Sequence, residues 1–291
     1  MQSYPSARLK RFLILILGVM PLLTCSPASD TTLERIRREG IARVGYANDI
    51  PFGHATADGK LTGEAPEIVR KILSRMGIGK IEGVLVEFDS LIPALKAGRF
   101  DMIAAGMFII PERCREIAFS EPTFSLGQAF LVKKGNPLNL HRYEDVAKNP
   151  NAILCVMKGA VEGNYARAVG IPESRIFIVP DTPSGLVAVK NGVADALALT
   201  SLSIQNLVST ANDPGIERAQ PFSDPVIQGK AIRGYGAFGF RKDDRAFLDE
   251  FNKHLKAFIG TKEHLETVQP FGFTKTELPG QVTTAELCSS D

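Results

Sequence analysis

Short apolar runs of strand length alternate with helix-period segments twice along this chain. That double alternation limits the fold more than any other feature. The first series opens with a strand at Ile41 to Tyr46, then a proline loop from Asn48 to Gly53 and a hairpin turn at Asp58-Gly59. A helix is predicted from about Glu67 to Met76, with Ile68, Val69, Ile72 and Leu73 at helical spacing. A strand at Ile81 to Phe88, a short helix at Leu91 to Ala97 closed by Gly98, and a strand at Asp101 to Ala105 complete it. After a further strand at Gln128 to Lys134 the alternation restarts. Helices at Tyr143 to Lys148, Glu162 to Val169, Thr182 to Asn191 and Ser201 to Val208 separate strands at Ala152 to Met157, Arg175 to Val179 and Asp195 to Leu199. Residues Gly215 to Gly234 read as irregular, Gly236 to Arg241 as a strand, and Asp244 to Ile259 and Lys262 to Val268 as helices.

These two series predict an α/β protein of two lobes with mainly parallel sheets. The lobes are joined by two crossover strands, near Gln128 to Lys134 and Gly234 to Arg241. Residues 29–131 plus 237–291 are assigned to the first lobe and 132–236 to the second. A cleft between such lobes can close around a ligand by hinge bending.

Residues 1–28 are left out of that fold. Arg8, Lys10 and Arg11 precede the apolar run Phe12 to Leu23, and small residues follow, which reads as a signal peptide. Cleavage after Ala28 is favoured over lipidation of Cys25, because threonine before that cysteine is a poor lipidation signal. The expected location is therefore periplasmic. The whole chain carries 34 Lys and Arg and 32 Asp and Glu, and loss of the segment leaves it close to neutral. Such a balance argues against a nucleic-acid partner. No Cys/His spacing suggests a metal, and no cofactor is expected. Of the remaining cysteines, Cys155 lies in the buried-strand pattern AILCVM, which leaves Cys114 and Cys288 as the plausible disulfide pair of an exported protein.

The stretch Ala105 to Pro122 (AGMFIIPERCREIAFSEP) is the densest chemical signal. An apolar strand meets Gly106, and Pro111 then suits the first turn of a helix. Free backbone N–H groups there, with the planar fork of Arg113 that matches a carboxylate, read either as an anion-binding corner with Phe108 beside it or as a turn with a surface arginine. Asp49, Phe52 and Phe88 also follow predicted strand ends, where α/β sheets bind ligands. Taken singly, a phenylalanine at a strand end is more often a core residue than a ligand wall; it is the joint placement beside Gly106 and Arg113 that favours the wall. Glu162 is either a first-turn acid favoured by the helix dipole or a cleft-facing acceptor. Thr200 either contacts the ligand or caps the next helix. His54, His141, His254 and His264 read as solvated. An enzyme would have to use carboxylates such as Asp49 and Glu162 as acid and base, since no GxSxG elbow or P-loop is present.

GRFDMIAAG, PERCREIAFSEP, GQAFLVKKGN, VKNGVADALAL and GYGAFGFRKDD together resemble the solute-binding proteins of polar amino-acid ABC importers. The resemblance covers essentially the whole mature chain. It implies a two-lobed periplasmic binding protein of the type II, Venus-flytrap kind, a monomer delivering a small solute to membrane permease subunits. It also implies Arg113 as the carboxylate-binding arginine. Members that take ordinary α-amino acids usually carry hydroxyl residues at the positions of Phe108 and Ile110, and an ammonium-binding Asp where this chain has Thr200. NDIPF, LTGEAP, VEFDSLIPALKAGRFDMIAAGMF, PERC and the tail TTAELC resemble the subgroup that binds ectoine and hydroxyectoine. That likeness implies an aromatic box of Phe52, Phe88 and Phe108 around a delocalised cation, with Asp49 on its N–H groups. The subgroup often has Glu and Tyr where this chain has Asp49 and Phe88.

Overall fold

Ile41–Tyr46 pairs in parallel with Lys80–Leu85 on one side and Met102–Ile103 on the other, as a β-α-β-α-β order requires. Gly239–Phe240 adds antiparallel to Met102–Ile103, and Ala118–Phe119 closes that five-stranded sheet. The computed structural model describes residues 1–3 and 30–289. From residue 4 on, the expected signal segment, with Cys25, lies outside the described residues. All elements below belong to one compact unit, Thr31–Asp291.

The second sheet repeats the plan. Its order is Ile176–Val179, Leu154–Met157, Ala196–Thr200, Gln128–Lys133 and Ile216–Arg218, with the first three parallel and the last two joined antiparallel. In each sheet the antiparallel strand arrives from the other series. Gln128–Lys133 is therefore a full member of the second sheet and not the crossing itself. The crossings lie at Phe124–Leu126 and Gly234–Gly236, which pair with one another as a two-stranded antiparallel ribbon. Residues 131 and 132 both lie within the strand Gln128–Lys133 of the second sheet.

Other expectations shift for local reasons. The helix predicted from Glu67 starts at Glu64, because Gly63 turns the chain at φ 129° and Pro66 fits the first turn. Phe88 is not the end of a strand but opens the one-turn 3-10 helix Phe88–Ser90. The supposedly irregular stretch holds the edge strand Ile216–Arg218 and a small hairpin, Val226–Ile227 with Lys230–Ala231. His264 is buried rather than solvated: its Nδ1 accepts from Gly260 N–H, and burial pushes its pKa down to about 4. Phe247, Phe251 and Phe258 recur on one face of Arg245–Phe258 and are buried against the first sheet's core. The tail ends in the helix Thr284–Ser289, where Cys288 is bonded to Cys114 with 5.7 Å between Cα atoms. Cys155 is a buried free thiol.

Candidate functional site

The helices Glu162–Ala168, Thr182–Lys190 and Ser201–Ala211 each begin just beyond a strand of the second sheet. Across from them lie the loop after Ile41–Tyr46 and the corner between Met102–Ile103 and Pro111–Glu116. Between the two sets is a small cavity with about 350 Å³ of empty space, part of it open solvent. Asp49, Phe52, Phe88, Gly106, Phe108, Arg113, Glu162 and Thr200, the eight residues singled out from sequence, all line it. Ala105, Met157, Ala160, Val161 and Leu199 complete the wall.

Arg113 is buried, and carbonyl oxygens hold its guanidinium at two points. Nη1 donates to Phe108 O at 2.8 Å and Nη2 to Gly159 O at 2.9 Å. The second bond reaches across to the opposite lobe. Its guanidinium carbon lies 5.4 Å from the centre of the Phe88 ring. One face of Phe88 therefore supports the arginine, a role the aromatic-box expectation did not include. Burial lowers the Arg113 pKa to about 10, against the pull of Glu162, so it stays charged at neutral pH. Among the described residues it forms no salt bridge. A buried cation with three N–H groups still to satisfy favours an incoming carboxylate.

Phe52 and Phe108 stand on an aromatic base. Phe52 stacks on Phe124 with centroids 5.2 Å apart, and Phe108 meets Phe124 edge-on at 6.1 Å. Gly106 adopts φ +63°, and a Cβ there would lie 2.3 Å from the Phe52 ring. The backbone must therefore pass bare beneath that ring. Gly234 is bare for the same reason beside the Phe108 ring.

Two carboxylates line the same cavity as the arginine. Asp49 Oδ1 accepts hydrogen bonds from Ser203 Oγ at 3.2 Å and Thr182 Oγ1 at 3.4 Å. Burial raises its pKa from 3.8 to about 7, with those hydroxyls opposing the shift. Glu162 is buried on the other side of the cavity. The Gln128 amide, turned to satisfy its neighbours, donates to Glu162 Oε1 at 2.9 Å. Burial raises Glu162 from 4.5 to about 7; Asp49 adds to the rise, while Arg113 and Gln128 oppose it. Thr200 caps Ser201–Ala211 by accepting from Ser203 N–H at 3.1 Å, so its capping role is plain alongside its place in the wall.

Sequence reasoning missed Thr182, Ser203, Gln128 and the Gly159 carbonyl. Thr182 and Ser203 did have a signal, as hydroxyl residues at helix starts after strand ends. Gly159 also marks where the lobes touch, since a Cβ there would lie 2.9 Å from Asp89 Cα. Beside it Lys158 and Asp89 form an ion pair at 2.8 Å across the cleft. No group of His, Cys, Asp and Glu among the described residues has the arrangement to hold a metal ion.

The raised carboxyl pKa values set the sign of a pH effect. A group whose folded pKa lies above its unfolded one contributes stability below the unfolded value and loses it as pH rises through the folded value. For Asp49 that window runs from 3.8 to about 7. In the ligand-free protein, Asp49→Asn should therefore gain in Tm relative to the parent as pH rises from about 4 to 8. A Tm difference that is flat or shrinks with pH, by calorimetry at matched ionic strength, would contradict the burial of this carboxyl.

Residues 42–273 match the model of bacterial extracellular solute-binding proteins, family 3. A probable amino-acid ABC transporter periplasmic-binding protein, y4tE of Sinorhizobium fredii, is 37% identical over 272 residues, 92% of this chain and 89% of that protein. The crystal structure of EhuB in complex with hydroxyectoine superposes with a TM-score of 0.81 at 37% identity, over 89% of this chain and 98% of the other. An ancestral amino acid-binding protein, AncCDT-1, described as a precursor of cyclohexadienyl dehydratase, gives a TM-score of 0.72 at 27% identity over 83% and 99%.

Proposed function

The chain belongs to the bacterial extracellular solute-binding proteins, family 3, and we propose that it captures ectoine or hydroxyectoine for an ABC importer. The solute carboxylate pairs with Arg113, and the delocalised cation lies against Phe52 and Phe108 with its N–H groups on Asp49. Phe88 works chiefly by backing the arginine. One observation carries this reading: one cavity joins an arginine that has no ion-pair partner among the described residues to aromatic faces and a carboxylate. The likeness to the hydroxyectoine complex supports it. In this reading the first 28 residues direct export to the periplasm, the protein acts as a monomer, and membrane permease subunits receive the closed, loaded form. The lobes are divided before Gln128 and at Gly234–Gly236. No helix among the described residues is long and apolar enough to cross a membrane.

A second reading has its own observation. Thr200 supplies no carboxylate for a primary ammonium, but Glu162 brings a second buried carboxylate to the same cavity. An α-amino acid could set its ammonium between Glu162 and Asp49. Isothermal titration against ectoine, hydroxyectoine, glycine betaine, proline, glutamine and arginine separates the two. Ectoine or hydroxyectoine should bind most tightly. Tighter binding of glutamine or arginine would establish the second reading instead. Phe108→Leu keeps apolar area but removes the ring face, so ectoine affinity should fall by about 0.5–2 kcal/mol. An unchanged Kd would remove Phe108 from the cation's contacts.

A further inference from the structure

We propose that Thr182 and Ser203 form an interlobe latch on Asp49, so that one carboxylate both reads the solute and holds the lobes shut. The inference deepens the function above and rests on its placing of Asp49 against the solute's N–H groups.

Asp49 follows Ile41–Tyr46 of the first sheet. Thr182 opens the helix after Ile176–Val179, and Ser203 lies in the first turn of the helix after Ala196–Thr200, both of the second sheet. The two hydroxyls thus come from the opposite lobe and converge on one atom, Oδ1, at 3.4 and 3.2 Å. All three side chains are buried. Oδ2 has no hydrogen-bond partner among the described residues, and the side chain lines the cavity. One oxygen therefore faces the far lobe while the other is left for the solute.

The donors are oriented for this. Thr200 Oγ1 accepts from Ser203 N–H and donates its own proton to Ser203 Oγ, both at 3.1 Å. That leaves the Ser203 proton directed to Asp49. Both hydroxyls sit at helix starts, where the dipole favours an anion. Hydrogen bonds to an ionised acceptor are about twice as strong as neutral ones. A solute cation at Oδ2 keeps Asp49 ionised, and that strengthens both bonds at Oδ1. Solute charge and lobe closure are coupled through a single side chain. Arg113 has the same division of labour, with Nη2 on Gly159 O across the cleft. Thr182 and Ser203 are thus positioning residues, and Thr200 orients one of them.

The test uses the full mature protein and the double variant Thr182→Val/Ser203→Ala, with Thr182→Ser as the conservative control. Stopped-flow and titration with ectoine should give dissociation roughly ten- to a hundredfold faster in the double variant, with association changed little. Thr182→Ser should restore the parent rate at its position. Parent-like dissociation in a variant that still binds ectoine overturns the latch and leaves the ligand reading intact. If the parent does not bind ectoine, the ligand reading fails first. The same comparison is then run with arginine, where faster dissociation still supports the latch and an unchanged rate refutes it. If neither solute binds, small-angle scattering of the ligand-free proteins decides. The latch requires a larger radius of gyration in the double variant, and equal radii overturn it.

Discussion

Arg113→Ala should abolish useful binding of any carboxylate-bearing solute, raising Kd by about 30- to several-thousandfold, or about 2–5 kcal/mol. The size follows from what is left behind. In the parent, a buried guanidinium with two N–H groups fixed by Phe108 O and Gly159 O turns its remaining donors to the cavity. Alanine leaves the solute carboxylate desolvated with no partner, and it also removes one bridge between the lobes. Arg113→Lys separates these contributions. It keeps the charge but loses the planar fork, so its loss should be smaller yet still well beyond tenfold. Titration calorimetry with ectoine, at protein concentrations suited to millimolar Kd, reads both. A Kd within about threefold of the parent for the alanine variant would mean that the carboxylate binds elsewhere.

The parts of this site that were legible in sequence are those built from local chemistry. A strand running into Gly106, followed by Pro111 and Arg113, is a self-contained pattern. It folds as Met102–Ile103, a bare turn and Pro111–Glu116 with proline in its first turn. The Asp49 and Phe52 loop was legible because strand ends in parallel sheets define where ligands go. What local chemistry cannot convey is which surfaces meet. Thr182 and Ser203 are unremarkable helix-start hydroxyls until the far lobe brings Asp49 to them. Glu162 had two readings because a first-turn carboxylate satisfies the dipole whether it faces solvent or a cleft. The choice of Gln128 to Lys134 to mark the first crossing has a similar cause. Gln128–Lys133 is buried along nearly its whole length because it is an interior strand of its sheet, and its apolar run Ala129 to Val132 draws attention as a landmark. The paired strands Phe124–Leu126 and Gly234–Gly236 are only three residues each, too short to show a period. His264 was misread for the opposite reason: charged neighbours in its helix, Lys262, Glu263 and Glu266, masked one inward-facing position.

Gly106→Ala is expected to be the most damaging single methyl in the cavity wall, because two costs coincide there. The backbone at Gly106 holds φ +63°, where a side chain costs about 1–2 kcal/mol. A Cβ at that position would also stand 2.3 Å from the Phe52 ring, which is itself pinned between Phe124 and Phe273. The ring can yield only toward the cavity it lines, and overpacking of this kind costs about 1–3 kcal/mol more. The sum should lower Tm by roughly 5–15 °C for a protein of this size. Gly98→Ala supplies the control: φ there is +72° and nothing lies within 4 Å of an added Cβ, so only the backbone cost applies. The difference between the two variants therefore measures the clash with Phe52 alone. The clash also reaches function, because Phe52 can relieve it only by moving into the cavity. Ectoine affinity should fall in Gly106→Ala and stay at the parent value in Gly98→Ala. Equal Tm losses in the two variants would mean that Phe52 is free to move, and a mobile Phe52 would not serve as a fixed wall for a cation.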